Sequence, residues 1–600
     1  MQQKTVTSPS SQPLPVSWNE CRQRGWDGID ILLVTGDAYV DHPSFGVALV
    51  GRLLESRGYR VAILPQPRFD RADDFRQFPP PRLFCGITAG NLDSVVANYT
   101  GNGKVRDFDA FSPGGDPWRG EEHSRASRRR PDRAVLLYAQ LAREAFGRTL
   151  LVLGGIEASL RRFVHYDYKQ EKLRASCLTD AKADLLVYGM GERAVLEIAE
   201  RVAAGDLLPD GIAGTCRRLT DRELHERLPE LAGANPESYL VLPSWADIER
   251  QPELFLDQEL RLDRHARARS AAAVLQRQQN HWVIQYPAAA PLDSRELDAL
   301  YGLPFSRRPH PSTPDIPAWR MIRDSVTIVR GCSGNCSFCA ITRHQGPQVT
   351  SRSRKSIVDE ARAISSAEDF GGTISDLGGP TANLWGTGCA KGGCARHDCL
   401  YPKVCPHLQL AEPEFLRLLD EVAAVKGVEH VFISSGLRME LLLKTPSLLR
   451  RIIRHHTPGA LKIAPEHTDP DILNLMHKEP PALLRQFVET CRRMAGELGR
   501  DIRFSPYIIT AHPGCTERQV RQLIHDLRAL DLQIRAFQDF TPTPGTLSTA
   551  MYVTGLRRDT KKPLVVPKSA SERKRQRDIL EREYLKGTPP PSPRRRSSKR

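Results

Sequence analysis

The chain has 600 residues, of which 40% are hydrophobic and 26% are charged, and this length and composition predict several folded domains with apolar cores. No stretch approaches the roughly 18 consecutive apolar residues of a membrane-spanning helix. The first residues also lack the apolar segment of a secretion signal. We therefore expect a cytoplasmic protein without membrane contact.

The positive charge is concentrated at one end of the chain. The 86 Lys and Arg residues and 71 Asp and Glu residues leave a net charge of +15. Residues 561–600 hold 14 basic and 4 acidic residues, so the 560 residues before them carry only +5. We expect 561–600 to form a disordered basic tail that attracts polyanions loosely, and the Ser-, Gln- and Pro-rich residues 1–28 to be disordered.

Residues 29–245 alternate between apolar strand patterns and amphipathic helix patterns. Strands are predicted at 31–34, 60–64, 83–87, 149–153 and 184–188. Strands that alternate with helices form parallel sheets covered by helices, so the fold class is α/β and this region is an N-terminal domain with a Rossmann-like sheet. The proline-rich residues 246–318 predict a connector.

The alternation resumes in residues 319–560. Strands are predicted at 325–330, 373–377, 430–434, 460–464, 502–509 and 534–540. Six βα units in succession predict a partial (β/α)6 TIM barrel, whose working residues lie at the carboxyl ends of its strands.

The clearest chemical signal follows the first strand of this barrel. Of 13 cysteines, Cys332, Cys336 and Cys339 form a C-x3-C-x2-C group on one short loop. Three thiolates can hold three irons of a [4Fe–4S] cluster and leave the fourth iron open for chemistry. Phe338 would present a flat apolar face beside the last ligand. The alternative is a structural zinc site with a fourth ligand such as His344.

The cysteine loop resembles the signature of the radical SAM superfamily. The resemblance implies that S-adenosylmethionine (SAM) binds the open iron and is reductively cleaved to a 5′-deoxyadenosyl radical, with a reductant such as flavodoxin or ferredoxin. It also implies that the ends of the next three strands contact SAM. The alternative for each of them is a turn or a strand end whose polar groups are satisfied within the protein. Those strand ends carry Gly378, Gly379 and Pro380, then Ser434, Ser435 and Arg438, then Glu466 with His467 beside it. It assigns no catalytic residue and no substrate.

Further motifs resemble the YgiQ family of radical SAM proteins, also grouped as UPF0313, over roughly residues 30–570. They are GDAYVDHPSFG (36–46), GGIEASLRRF (154–163), HYDY (165–168), ADLLVYG (183–189), SDLGGPTAN (375–383), LKIAPEH (461–467) and DFTPTPGT (539–546). The last motif also resembles the barrel end of methylthiotransferases, so an RNA-modifying methyl or methylthio transferase is one alternative. A zinc-containing nucleic-acid-binding protein is another.

A second cysteine group lies in a Gly-rich insertion at 380–410. Cys389, Cys394, Cys399 and Cys405 are interleaved with His397 and His407. Four thiolates could hold a second iron–sulfur cluster or a zinc ion that orders the insertion. The alternative is a loop without metal.

The N-terminal domain resembles cobalamin-binding domains in its glycine turns, Gly154-Gly155 and the segment 188–192. Asp41, His42 and Gly46 do not keep the Asp-x-His-x-x-Gly spacing of a cobalt-ligating loop. We therefore favour a domain that binds no corrin, or that binds the substrate. The polar run 157–167 predicts either an anionic-ligand or interdomain contact, or a solvated helix face.

Overall fold

A computed structural model describes residues 12–232, 239–268, 270–392, 394, 398–534 and 537–585, without the side chains of 228–232 and 585. In these ranges no helix is long and apolar enough to cross a membrane.

The N-terminal half is built around one nine-stranded sheet. Its strands are β1 (Ile31–Thr35), β2 (Val61–Pro65), β3 (Phe84–Thr88), β4 (Leu150–Leu153), β5 (Leu185–Val187), β6 (Thr215–Leu219), β7 (Tyr239–Val241), β8 (Ala273–Gln278) and β9 (His281–Gln285). The spatial order is β7-β8-β9-β6-β5-β4-β3-β1-β2. The five neighbouring strands β5, β4, β3, β1 and β2 are parallel to one another. Beyond β5 the sheet continues through antiparallel pairs, β5 with β6, β6 with β9 and β9 with β8. The predicted parallel-sheet domain is therefore present.

Both faces of this sheet are buried. Leu32, Val34 and Ile87 contribute to the apolar core on one face, and Ile31 and Leu33 to the core on the other. Side chains alternate between the faces of a strand, so helices must cover both. The covering helices are Trp18–Gln23, Gly46–Glu55, Asp73–Arg76, Ser94–Asn98, Ala134–Phe146, Gly155–Leu160, Cys177–Asp180, Glu192–Ala203 and Asp221–Ala232.

Residues 246–318 do more than connect. They supply β8 and β9, whose apolar residues Val274, Leu275, Val283 and Ile284 are buried in the sheet. They also supply the helices Trp245–Arg250, Leu254–Ala268 and Ser294–Tyr301. The connector prediction missed them because the short hairpin pattern lies among prolines and charged residues.

The C-terminal half contains the six predicted barrel strands. They are β10 (Ser325–Thr327), β11 (Asp376–Gly378), β12 (His430–Val431), β13 (Leu461–Glu466), β14 (Phe504–Thr510) and β15 (Gln538–Asp539). β10 pairs with β11, the short strand Thr373–Ile374 before β11 pairs with β12, and β13, β14 and β15 pair in sequence, all in parallel. This is the expected partial barrel.

Helices alternate with these strands and form the outer layer. They are Pro317–Ile322, Ile341–Gln345, Arg354–Ser365, Glu412–Ala423, Met439–Leu442, Pro446–Arg451, Pro470–Met476, Pro481–Glu497, Glu517–Ala529, Leu547–Thr554 and Ala570–Ile579. Shorter helical turns are Pro113–Gly115, Ala382–Leu384, Ile452–His456 and Leu580–Leu585. Minor strands are Val40–Asp41, His165–Asp167, Lys172–Arg174, Arg308–Pro309, Val329–Arg330, Thr350–Ser351, Gly388–Cys389 and Leu408–Gln409.

Both predictions of terminal disorder are wrong within the described residues. Leu14 is fully buried in the sheet domain, and Ser17 caps the helix Trp18–Gln23. At the other end, the buried Gln576 side chain accepts from Ala511 N–H and donates to Cys515 O. A few buried contacts therefore order segments whose overall composition is polar. Residues 1–11 and 586–600 lie outside the described residues.

Candidate active site

Three thiols lie together on the loop that follows the first barrel strand. Cys332, Cys336 and Cys339 come directly after the short strand Val329–Arg330. Burial, with a contribution from the nearby thiols of Cys336 and Cys332, raises the pKa of Cys339 to about 12. The thiols of Cys332 and Cys336 thus contribute to the electrostatic environment of Cys339.

Backbone contacts close this loop at its base. Gly331 N–H donates to Gln345 Oε1 at 3.0 Å, and Cys332 N–H donates to Gly346 O at 3.2 Å. Gly331 has a φ of +79°, and a Cβ built on it would lie 1.9 Å from Gln348 O. Only glycine fits there, because the backbone conformation is left-handed and the facing backbone is in contact. The loop is thus held in a defined shape.

Arg438 brings positive charge to the thiols. Its Nη1 donates to Cys336 Sγ at 3.5 Å. Burial raises the pKa of Cys336, whereas the charges of Arg438 and Lys478 lower it. Arg438 is in turn held by Glu440 at 2.6 Å and by backbone hydrogen bonds with the Asn383 side chain. Nearby cations favour the thiolate form that binds iron.

The second and third strand ends meet beside this loop. Asp376 accepts from the N–H groups of Ser434 at 2.7 Å and Ser435 at 3.0 Å. A Cβ built on Gly378 would lie 1.9 Å from Ser435 Oγ, which also accepts from Gly379 N–H at 3.3 Å. Burial raises the pKa of Asp376. The sequence analysis did not select this carboxylate, although it lies in the SDLGGPTAN motif.

Two further predicted residues lie at the same edge. Pro380 is followed by Thr381, whose Oγ1 is 3.7 Å from Cys332 Sγ, so the second strand end adjoins the cysteine loop. Phe338 packs against the main apolar cluster of the barrel.

Glu466 ends β13 in a strained and buried position. It has a φ of +65° although it is not glycine, and only 6% of it is exposed. Burial raises its pKa to about 7, and its Oε2 has no hydrogen-bond partner among the described residues. Backbone strain and an unpartnered buried carboxylate are typical of functional sites.

Two charged residues near Glu466 were missed by the sequence analysis. Lys478 is buried, donates to Ala464 O at 2.9 Å and pairs with Glu479 at 3.2 Å. Glu479 lies 3.7 Å from Arg438, which joins this pair to the cysteine loop. Both follow a helix rather than a strand end, so a search of strand ends does not find them.

The histidines considered from the sequence lie away from the thiols or outside the described residues. His467 Nδ1 accepts from the N–H groups of the two residues after it. His344 Nδ1 lies 3.1 Å from Ser159 Oγ in the N-terminal domain, so its ring faces that domain. His407 is exposed, and His397 is outside the described residues.

The second cysteine group is drawn together by a small antiparallel pair of strands, Gly388–Cys389 and Leu408–Gln409. Burial, with contributions from the thiols of Cys405, Cys394 and Cys389, raises the pKa of Cys399 to about 11. In neither cysteine group do three described side chains converge on a point that could hold a single metal ion. A cluster, by contrast, distributes its thiolates over separate irons.

The polar residues of the N-terminal domain are mostly internal. Asp41 accepts from Arg52 Nε at 3.0 Å, and His42 is buried with its Nδ1 accepting from Ser44 N–H. Arg161 forms two 3.0 Å hydrogen bonds with the buried carboxylate of Asp93. This part of the polar run 157–167 is therefore not a solvated helix face.

Two family models match almost the whole described chain. The model described as Radical SAM N-terminal matches residues 13–325, and the model described as Radical SAM superfamily matches residues 326–527. A UPF0313 protein of Methanocella arvoryzae is 41% identical over 573 residues, covering 94% of this chain and 92% of the relative. This chain belongs to the UPF0313 family. A UPF0313 protein of Geobacter sulfurreducens is 42% identical over 575 residues, with the same coverage.

Solved structures with a similar fold were also found. The radical SAM methyltransferase TsrM from Kitasatospora setae, with cobalamin and [4Fe–4S] cluster bound, is 15% identical with a TM-score of 0.48, over 86% of this chain and 73% of that one. The cobalamin-dependent radical SAM enzyme OxsB with aqua-cobalamin bound is 10% identical with a TM-score of 0.45, over 94% of this chain and 63% of that one. At these identities the likeness concerns the fold alone.

Family membership determines the class of chemistry. This UPF0313 protein is a radical SAM enzyme that uses a [4Fe–4S] cluster and SAM. Enzymes of this class need a reductant and a substrate.

Proposed function

We propose that Cys332, Cys336 and Cys339 hold three irons of the [4Fe–4S] cluster and leave the fourth iron for SAM. The supporting observation is that one closed loop carries all three thiols at the carboxyl edge of the barrel, where Arg438 donates to Cys336. Thiolates are the natural ligands of such clusters, and the donor set therefore fits. When bound and reduced, the cluster supplies the electron that cleaves SAM.

We further propose that SAM lies against the neighbouring strand ends. Gly378, Gly379 and Pro380 provide backbone without bulky side chains for its amino group. The unpartnered Oε2 of Glu466 accepts from a ribose hydroxyl, and Arg438 attracts the carboxylate. The N–H groups of Ser434 and Ser435 are already bonded to Asp376, so these serines hold the strand end in place.

In this proposal the protein orients the reactants and excludes water, because the hard chemistry belongs to the cofactors. Arg438, which is held by Glu440, and the buried Lys478 place positive charge beside the Cys336 thiol. The enzyme acts in the cytoplasm on a substrate that the site does not specify. It receives its electron from a small donor such as flavodoxin or ferredoxin, and its basic C-terminal residues attract polyanions loosely.

The assignment of the cluster ligands is tested by anaerobic reconstitution. Iron, sulfide and visible absorption are measured for the wild type, Cys336→Ala and the control Cys491→Ala, whose thiol is buried in the helix Pro481–Glu497. We expect Cys336→Ala to lose the catalytic cluster and Cys491→Ala to retain it. Equal cluster content in Cys336→Ala and the wild type would contradict the assignment.

We also propose that Cys389, Cys394, Cys399 and Cys405 bind a second metal or cluster. The proposal is supported by the pairing of the strands Gly388–Cys389 and Leu408–Gln409 and by the 2.8 Å hydrogen bond from Cys405 N–H to Cys399 O, which bring this group together. Metal analysis of Cys399→Ser should show less iron or zinc than the wild type while the catalytic cluster remains. Wild-type metal content that one [4Fe–4S] cluster accounts for in full would refute this proposal.

A further inference from the structure

A cavity of about 330 Å³ lies between the N-terminal sheet and the outer side of the cysteine loop. It opens beyond the carboxyl end of β5, next to Tyr188, and is bounded on the barrel side by the segment 342–348. Ligands of α/β sheets bind outside the carboxyl ends of the strands, and this volume is at the lower end of the range of about 300–1,000 Å³ for ligand pockets. The place and size are those of a small-molecule site.

The lining of the cavity contains both apolar and cationic residues. The apolar part includes Met190, Leu262, Leu292, Leu297 and the Pro- and Ala-only segment 287–291. The lining also contains four arginines. Three of them have carboxylate partners: Arg193 pairs with Glu296 at 2.6 Å, Arg330 with Glu192 at 2.6 Å, and Arg343 with Asp263 at 2.9 Å.

Arg162 is the fourth arginine, and it has no carboxylate in direct contact among the described residues. Its Nε donates to Gln285 Oε1 at 2.6 Å and its Nη1 to Ser159 O. Its Nη2 has no hydrogen-bond partner in the described part of the chain, although only 8% of the residue is exposed. The Tyr188 ring lies 5.1 Å from the guanidinium carbon. Burial, together with the charge of Arg343, lowers the pKa of Arg162, whereas the buried carboxylate of Glu259 nearby acts in the opposite direction.

A buried cation with no carboxylate in contact is unfavourable, and an anion that binds beside it reduces that penalty. One guanidinium with one open nitrogen matches one negative charge, so a carboxylate fits better than a phosphate with its charge of about −1.5 to −2. Gln348 adds a second requirement, since this residue also lines the cavity and its buried Oε1 has no hydrogen-bond partner among the described residues. That oxygen would accept from a hydroxyl or an N–H group of the ligand.

We propose that this cavity binds a small carboxylate with an apolar body and a hydrogen-bond donor, its carboxylate on Arg162 and its body against Leu292 and Leu297. The cavity shares Thr342, Arg343 and Pro347 with a smaller hollow that touches Cys336 and Cys339. A molecule bound there lies beside the cysteine loop. The inference concerns binding alone and does not rest on the proposed cluster ligands.

The test is a fluorine NMR titration of the anaerobically prepared full-length protein with 4-fluorophenyllactate. The matched neutral probe is 4-fluorophenyllactamide, which keeps the ring and the hydroxyl but lacks the charge. We expect the acid to bind with a millimolar or lower Kd and the amide to bind about tenfold or more weakly, because a charge-assisted hydrogen bond is lost.

Variants locate the binding site. Arg162→Gln should weaken binding of the acid about tenfold or more, and Arg162→Lys less, since it keeps the charge. Arg193→Gln is the control, because it removes a cavity arginine that already has a carboxylate partner, and it should leave binding of the acid unchanged. Ala288→Trp, which adds bulk at a lining residue other than Arg162, should abolish binding and covers the case in which Arg162→Gln does not fold.

Three results would overturn the proposal. They are absence of acid binding to the wild type, equal binding of the acid and the amide, and undiminished binding of the acid by Ala288→Trp or by a folded Arg162→Gln. Circular dichroism melting of each variant establishes that it is folded. Loss of the cluster in Cys336→Ala would leave these results unchanged, so the two proposals fail separately.

Discussion

If closure of the cysteine loop at its base positions the thiols, alanine substitutions at Gly331 and Gly346 should differ in their effects on stability and iron binding. In Gly331→Ala the new Cβ would lie 1.9 Å from Gln348 O and 2.8 Å from Gln348 C, in a backbone with a φ of +79°. The left-handed conformation alone costs about 1–2 kcal/mol for alanine, and the contact forces backbone to move as well. Gly346→Ala is the control for the steric contact, since nothing lies within 4 Å of the added atom, although its backbone (φ +89°, ψ 165°) also favours glycine.

We expect Gly346→Ala to lower the free energy of unfolding by about 1–3 kcal/mol through backbone strain alone and to keep full iron content. Gly331→Ala should open the base of the loop, lower the free energy of unfolding by at least about 3 kcal/mol and lose most of its iron after reconstitution. The assays are urea unfolding and iron and sulfide analysis. Wild-type iron content in Gly331→Ala, or a greater loss in Gly346→Ala, would refute the claim that loop closure positions the thiols.

Two further predictions concern charges around the thiols. Arg438→Gln should make the reduction potential of the cluster more negative by several tens of millivolts, as measured by redox titration. The reason is that a net hydrogen bond of about 1 kcal/mol corresponds to about 40 mV for one electron. The control Arg417→Gln, which changes an exposed arginine, should leave the reduction potential unchanged. Glu466 has a folded pKa of about 7 against an ordinary 4.5, so the folded chain holds its proton more tightly. The free energy of unfolding should therefore fall by up to about 3 kcal/mol as the pH rises through that interval, and Glu466→Gln should remove this fall in urea unfolding curves. An unchanged potential in Arg438→Gln, or an unchanged pH dependence in Glu466→Gln, would count against these roles.

The sequence indicated the features that depend on local pattern. Strand periodicity located all six barrel strands, and cysteine spacing located the loop at Cys332, because both are set by neighbours along the chain. Gly378 and Gly379 were also selected from the sequence, where they were expected to let the backbone approach SAM. In the structure they allow close contact between neighbouring strand ends, because Ser435 Oγ occupies the place that a Cβ would take at Gly378.

Features that depend on distant partners were missed. Lys478 and Glu479 follow a helix and join the site only through the fold, and Asp376 gains its role from two backbone N–H groups about 58 residues later. Arg162 could be noted as part of a polar run in the sequence. Only the three-dimensional structure shows that no carboxylate of the described residues contacts its guanidinium group. Composition likewise misjudged residues 12–28 and 561–585, because single buried contacts order segments that are polar on average.

The most direct test of the account is formation of 5′-deoxyadenosine. The anaerobically reconstituted enzyme is reduced with dithionite in the presence of SAM, and the product is measured by liquid chromatography and mass spectrometry. The account predicts 5′-deoxyadenosine from the wild type and Cys491→Ala and none from Cys336→Ala. Absence of the product from the wild type with a reduced cluster, or equal product from Cys336→Ala, would contradict it.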